Sequence, residues 1–234
     1  MKLDTESAKR YLSPIYPDGW MFIALFAIAA LILGSLASVL LYVGLLATGW
    51  CIYFFRDPSR MVPQGKGLVV SAADGVVDTI TTVPTPAELG IGEGDHIRIS
   101  VLLSLMDVHV NRIPASGTVV ATKYHKGAFL NASLDKAHED NERQYVGIKT
   151  DSGAMIGMVQ IAGMISRRIV CKLKENQKVS AGERFGIIRF GSRVDVYIPT
   201  SATPQVMVGQ RVVAGETILA NLEAPSSAHP AEKM

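Results

Sequence analysis

Three short stretches of this chain gather side chains that could carry a reaction. Ser71-Ala72-Ala73-Asp74-Gly75 offers a carboxylate, the run Met106–Pro114 offers the His109 imidazole beside Asp107 and Arg112, and Phe190-Gly191-Ser192 offers a hydroxyl. Carboxylate, imidazole and hydroxyl are the parts of an orienter, base and nucleophile set, which is recognised by roles and not by order along the chain. Each also has a plainer reading. Asp-Gly is a common turn pair, a lone histidine near a strand end is commonly structural, and a glycine within a strand pattern marks a bulge or tight turn. Ser192 is followed by Arg193-Val194, so it lacks the second glycine of a G-x-S-x-G nucleophile elbow. The stretch Ile187–Pro199, "IIRFGSRVDVYIP", reads as one β-ladder interrupted at its centre by Gly191-Ser192.

The elements that must position these groups are short strands. Beyond a linker carrying Pro58, Pro63, Gly65 and Gly67, runs rich in Val, Ile and Thr recur at Gly67–Ser71, Gly75–Val83, His96–Leu103, Gly117–Lys123, Tyr145–Thr150, Met155–Ile161, Phe185–Phe190, Arg193–Pro199 and Thr217–Leu222. Turn-forming residues bound each of them, as they bound strands. Only Phe129–Glu142 lacks this texture and reads as a mobile loop or one short helix. Lys178-Val179-Ser180-Ala181-Gly182-Glu183 recurs as Arg211-Val212-Val213-Ala214-Gly215-Glu216, each copy leading into an apolar strand. A valine, a glycine-bearing turn and a new strand have the texture of lipoyl-like or biotinyl-like sandwiches. The expected fold is therefore mainly β: a lipoyl/biotinyl-like sandwich-type domain behind an N-terminal hydrophobic helical segment.

That segment is the other conspicuous feature. No charged residue occurs between Met21 and Phe55. As one helix the run would be ~50 Å long against a hydrocarbon core of ~30 Å, and Gly34-Ser35 and Ser38 offer a central break, so two short helices folded back as a hairpin fit better. Trp20, Trp50 and Tyr53 stand where interfacial aromatics would anchor it, and Lys9, Arg10, Arg56 and Arg60 flank both ends, which favours both ends on the cytoplasmic side. It is too long for the apolar region of a cleaved signal peptide. The division expected is 1–19 as a leading segment, 20–55 as a membrane hairpin or anchor and 56–234 as the β-domain.

Composition narrows the partners. With 48% apolar and 19% charged residues and a net charge of +2, the chain is neither disordered nor provided with a nucleic-acid footprint. Its two cysteines, Cys51 and Cys171, are far apart and without metal-ligand spacing, so both read as free thiols and no metal is expected.

Taken together and in order, the apolar N-terminal segment, "FFRDPSR", "VVSAADGVVD", "LLSLMDVHVNRIPASGTV" and "IIRFGSRVDVYIP" resemble the phosphatidylserine decarboxylase proenzymes of the short bacterial and archaeal type. The likeness runs from about Phe55 to Leu222. It implies self-cleavage between Gly191 and Ser192 into a β chain of 1–191 and an α chain of 192–234, with Ser192 converted to a pyruvoyl group that forms a Schiff base with the amine of phosphatidylserine. Loss of CO2 then gives phosphatidylethanolamine. A glycine before the serine suits such a step, because without a Cβ its carbonyl can be approached closely. The likeness assigns Asp74 as orienter and His109 as general acid/base. Many longer members carry a second histidine three residues after the first, where this chain has Arg112, which cannot act as a base at neutral pH. Either His109 does both jobs, or Asp74 or a water assists it. Arg112 either binds the substrate phosphate or is a structural ion-pair partner, and His125 and His138 are held in reserve.

The partners implied are phosphatidylserine in the membrane and the two chains of one proenzyme; a homo-oligomer is compatible with this, and the place implied is the inner cell membrane with the catalytic domain cytoplasmic. Two alternatives stand beside it: a membrane-anchored lipoyl-like adaptor without catalysis, and a pyruvoyl decarboxylase for another amino-acid headgroup.

Overall fold

The computed structural model describes residues 13–128, 141–163, 168–189 and 192–223. The chain divides into two units, 1–59 and 60–234.

The first unit is an α-hairpin. Helix α1 spans Gly19–Gly34 and α2 spans Ser38–Phe54. The break falls where the small polar residues permit it: Ser35 Oγ donates to Ile32 O at 2.7 Å, and Ala37 is extended at φ −157°. Glycines let the two helices close up, for a Cβ on Gly44 would lie 2.5 Å from Ala30 Cβ and one on Gly34 would lie 2.8 Å from Leu41 Cβ. Among the described residues no helix is long and apolar enough to cross a membrane.

The second unit is mainly β. Its strands are β1 Leu68–Val70, β2 Gly75–Pro84, β3 Asp95–Leu103, β4 Val110–Arg112, β5 Gly117–His125, β6 Arg143–Thr150, β7 Met155–Ala162, β8 Arg168–Cys171, β9 Lys178–Val179, β10 Arg184–Arg189, β11 Ser192–Pro199, β12 Thr203–Pro204, β13 Arg211–Val212 and β14 Ile218–Asn221. They form an eight-stranded sheet of order β13-β2-β3-β11-β7-β6-β5-β9 and two three-stranded sheets, β1-β14-β12 and β4-β10-β8. The main core draws on all three sheets, with Val69, Val101, Ile113, Met158, Ile188, Val194 and Leu219 among its members. A smaller cluster of Leu89, Ile91, Tyr145, Val159, Ile161 and Tyr197 covers the other face of the large sheet. Alternation explains the division, since successive strand residues point to opposite faces.

The sheet order is palindromic, and the bonding shows why. Val70 N donates to Pro114 O and Arg112 N donates to Ala72 O, so the segments entering β2 and β5 cross reciprocally. Both strands carry a bulge at the same place, between Val77 and Thr79 and between Val119 and Ala121. Gly182 N donates to Ile113 O, as Gly215 N donates to Ser71 O, and both glycines have φ +76°. Lys174 N bonds Gln177 Oε1 just as Met207 N bonds Gln210 Oε1. The six-residue echo of the sequence is thus the visible part of an approximate two-fold relation. One half, β4–β10, is continuous; the other consists of β1–β3 and β11–β14 and is interrupted by the first.

This corrects the expectation of one ladder across Ile187–Pro199. The chain leaves one sheet at Arg189 and enters another at Ser192, so β10 and β11 are strands of different sheets. Phe129–Glu142, left open between loop and helix, falls mostly outside the described residues, as does His138.

Candidate active site

The site is built where the interrupted half resumes. In the continuous half, β6 and β7 are joined by a tight hairpin in which Thr150 N donates to Ala154 O at 2.8 Å. In the other half the equivalent strands are β3 and β11, and no turn joins them: Leu103 stands opposite Ser192 while the whole of β4–β10 intervenes in the chain. Ser192 is the counterpart of Ala154. On its other side it faces Ala162 of β7. Gly191 lies outside the described residues.

His109 is brought to this opening by the inserted half. Ile188 N donates to His109 O at 3.3 Å, continuing the β10 pairing. The loop from Ser104 to His109 therefore starts beside Ser192 of β11 and ends beside Ile188 of β10. The imidazole is fully buried, with Nδ1 at 2.9 Å from Asp107 O. A carbonyl can only accept, so Nδ1 carries the proton and Nε2 is the basic nitrogen of the neutral ring.

Asp107 holds that loop in shape. Ser104 N donates to its Oδ2 at 2.8 Å, its own N–H donates to Ser104 O at 3.0 Å, and Arg211 pairs with its Oδ1. The carboxylate is 1% exposed while the Arg211 side chain is 65% exposed, so the cation shields the acid from the solvent side.

Asp74 enters from the start of β2. Arg60 Nη2 donates to Oδ2 at 2.7 Å and Ala214 N donates to Oδ1 at 2.8 Å. Gly75 permits the approach: at φ +156°, a Cβ there would lie 2.1 Å from Leu102 O. Burial pushes the Asp74 carboxyl above the usual range; the Ala214 N–H and the Arg60 charge oppose this, and the Asp107 charge adds to it. Val76 pairs with Leu102, and Leu102 with Arg193, so Asp74 and Ser192 lie at one end of the large sheet with β3 between them.

The structure therefore gathers Asp74, His109 and the backbone of Ser192 at one end of that sheet. Arg112 is placed differently from a headgroup ligand on the surface: it is 4% exposed and its Nη1 donates to Gly182 O at 2.9 Å. His125 is exposed at the end of β5, at the far end of that strand from Gly117. Arg60, Asp107 and Arg211 join the site without having been singled out for it. Arg60 reads from the sequence as a membrane-flanking charge, and Arg211 carries only the weak signal of its place at the head of the repeated Val-x-Ala-Gly-Glu turn.

Comparison with known proteins gives the family. The family model described as phosphatidylserine decarboxylase matches residues 47–220. A phosphatidylserine decarboxylase proenzyme of Paramagnetospirillum magneticum is 50% identical over 227 residues, covering 97% of this chain and 95% of its own length. Proenzymes of the same name from Rickettsia bellii and Rickettsia akari are 53% and 52% identical over 207 residues, covering 88% of this chain and 90% of theirs. The chain belongs to the phosphatidylserine decarboxylase family.

Proposed function

We propose that the chain is made as a proenzyme, cuts itself between Gly191 and Ser192, and then removes CO2 from the serine headgroup of phosphatidylserine to leave phosphatidylethanolamine. The observation that carries this is the open hairpin: Leu103 and Ser192 stand opposed with no turn joining them, and the loop that follows Leu103 brings His109 beside Ile188, where β10 leads towards β11. In cleavage, the Ser192 hydroxyl is the nucleophile and His109 Nε2 takes its proton. Asp74, anchored by Arg60 and Ala214, orients the set.

A pyruvoyl group derived from Ser192 supplies, once formed, the electron sink that decarboxylation requires. The residues fit such a group. Leu103, Ala162 and Val194 are buried and apolar around position 192, which suits an uncharged ketone, and two buried amide atoms nearby have no protein partner. His109 is the group in reach that can return a proton to the substrate carbon, and the apolar lining keeps water from competing. Arg112, bonded to the Gly182 carbonyl, serves the substrate phosphate only through a further donor, and Arg112→Ala tests this by a rise in KM with cleavage preserved.

The α-hairpin supports a membrane site of action. Its apolar side chains are turned outward, Leu36 and Leu46 each 77% exposed, and each helix is about 24–26 Å long, short of the ~30 Å core. We read it as embedding in the inner cell membrane from the cytoplasmic face, holding the β-domain at headgroup level. The paired halves of that domain favour the lipoyl-like or biotinyl-like reading of its fold. The names of the relatives favour the catalytic reading over a passive adaptor.

Intact mass spectrometry of the purified protein tests the whole proposal. Two chains, 1–191 and 192–234, the smaller blocked at its N-terminus, are expected. A single chain with an ordinary serine at 192 would sink it.

A further inference from the structure

The two buried amides noted above take no part in the proton transfers. Asn111 on β4 and Gln160 on β7 are essentially inaccessible, and Gln160 Nε2 donates to Asn111 Oδ1 at 2.7 Å, tying one of the small sheets to the large one. Gln160 Oε1 and Asn111 Nδ2 have no hydrogen-bond partner. Turning both amides over changes nothing, because the bond between them always consumes one carbonyl and one N–H and leaves one of each. Orphaned polar atoms in a core cost stability, whereas two apolar side chains of the same shape would not. Met158, Ala162, Ile188 and Val194 supply such an apolar core here. A cost of this kind, kept beside a reaction site, points to a group that the free atoms are meant to bind.

Position identifies that group. Gln160 stands opposite Val194, two residues along β11 from Ser192, and Ala162, two along β7, stands opposite Ser192 itself. Asn111 follows His109 by two residues on the segment paired with β10, so the period of a strand turns both to one side. The amide pair therefore spans the gap between the base and position 192. One unused donor and one unused acceptor together complement a hydroxyl, which accepts from the first and donates to the second.

We infer that Asn111 and Gln160 are positioning residues for the oxygen that reacts at residue 192: they hold the serine hydroxyl in the uncut chain and, through the N–H alone, the carbonyl oxygen that replaces it. This rests on the function proposed above. The test is the full-length double variant Asn111→Leu/Gln160→Met, followed by thermal unfolding and by chain cleavage on denaturing gels. The expected result is a Tm equal to or above the parent's, with the half-time of cleavage lengthened tenfold or more. In material that has cleaved, kcat falls tenfold or more while KM stays within about twofold. Cleavage at the parent's rate, or a raised KM with unchanged kcat, overturns the inference. Should the double variant not fold, Gln160→Glu keeps the shape and removes an N–H: slowed cleavage at preserved Tm supports the pair, and parental cleavage overturns it. A parent protein that stays uncut under the same conditions overturns instead the reading of function beneath it.

Discussion

The half that carries Asp74 and the half that carries Ser116 stand on the same backbone. Ala73-Asp74-Gly75 opens β2 as Ala115-Ser116-Gly117 opens β5, and the side chain before each glycine accepts an N–H from the repeated turn, Asp74 from Ala214 and Ser116 from Ala181. Even the glycines press on equivalent carbonyls. Around that common frame the chemistry differs: Asp74 has Arg60 and the neighbouring charge of Asp107, while Ser116 looks into a cleft with Lys66, Thr150 and Ser152. The continuous half closes its hairpin with Asp151-Ser152-Gly153; the interrupted half leaves the matching end open and fills it with His109 and Ser192. A repeated scaffold thus supplies the geometry twice, and an insertion at one turn sets one copy apart, the copy in which the proposed reaction falls.

The largest effect expected is from making the two copies alike. Ser192→Ala gives position 192 the side chain its counterpart Ala154 already has, and should yield one full-length chain without decarboxylase activity. Two chains on a gel from that variant would remove Ser192 from the chemistry. Next, Asp74→Ala deletes the acceptors of both the Ala214 N–H and the Arg60 guanidinium, the charged bond alone worth about 1.5–3 kcal/mol, whereas Ser116→Ala deletes the acceptor of the Ala181 N–H, worth about 1 kcal/mol of stability. Cleavage should slow a hundredfold or more in the first and stay within about twofold of the parent in the second. Equal slowing would show that both positions serve only the frame.

A smaller and shared effect is expected at the glycines. A Cβ on Gly75 would lie 2.1 Å from Leu102 O and one on Gly117 would lie 2.2 Å from Lys149 O. Alanine at either should cost about 1–3 kcal/mol in denaturant unfolding, with Gly75→Ala the worse because its φ of +156° also suits glycine alone. A silent Gly117→Ala would break the equivalence of the halves.

The smallest is a pH effect confined to one half. His96 on β3 occupies the place that Arg143 holds on β6, and burial lowers its pKa from the ordinary 6.5 against the opposing charge of Asp95. The folded protein thus binds this proton less readily than the unfolded chain. The contribution to stability is complete above pH 6.5 and is lost as the pH falls through the window below it, towards the lowered folded value. His96→Gln should flatten that part of a Tm-against-pH curve, and an unchanged slope would assign the loss elsewhere.

Much of the frame was legible because strands in a two-sided core must alternate apolar residues. All nine strand-like runs became strands, with ends shifted by a residue or two. The short strands β4, β8, β9, β12 and β13 were not among those runs; in β4, Asn111 and Arg112 are polar residues whose burial depends on partners far along the chain. The repeat showed only where both copies keep the same side chains. Its other part is carried by backbone bonds between segments sharing little beyond Ala and Gly. Asp74, His109 and Ser192 could be named from their types, but Arg60, Asp107 and Arg211 acquire their roles from charges and loops that meet only in the folded chain.

The register of β11 has a consequence for the molecule under the cleavage proposed above. Ser192–Pro199 is paired along its length with β3 on one side and with β7 over six of its eight residues on the other. A break in the chain just ahead of Ser192 frees an end but not a strand, for the fragment beginning there also supplies β12, β13 and β14 to two sheets. The two pieces cannot part without opening the middle of the largest sheet and the core beneath it. They should therefore melt as one body and migrate as one species wherever denaturant is absent, so that the new terminus is held as firmly as an interior residue.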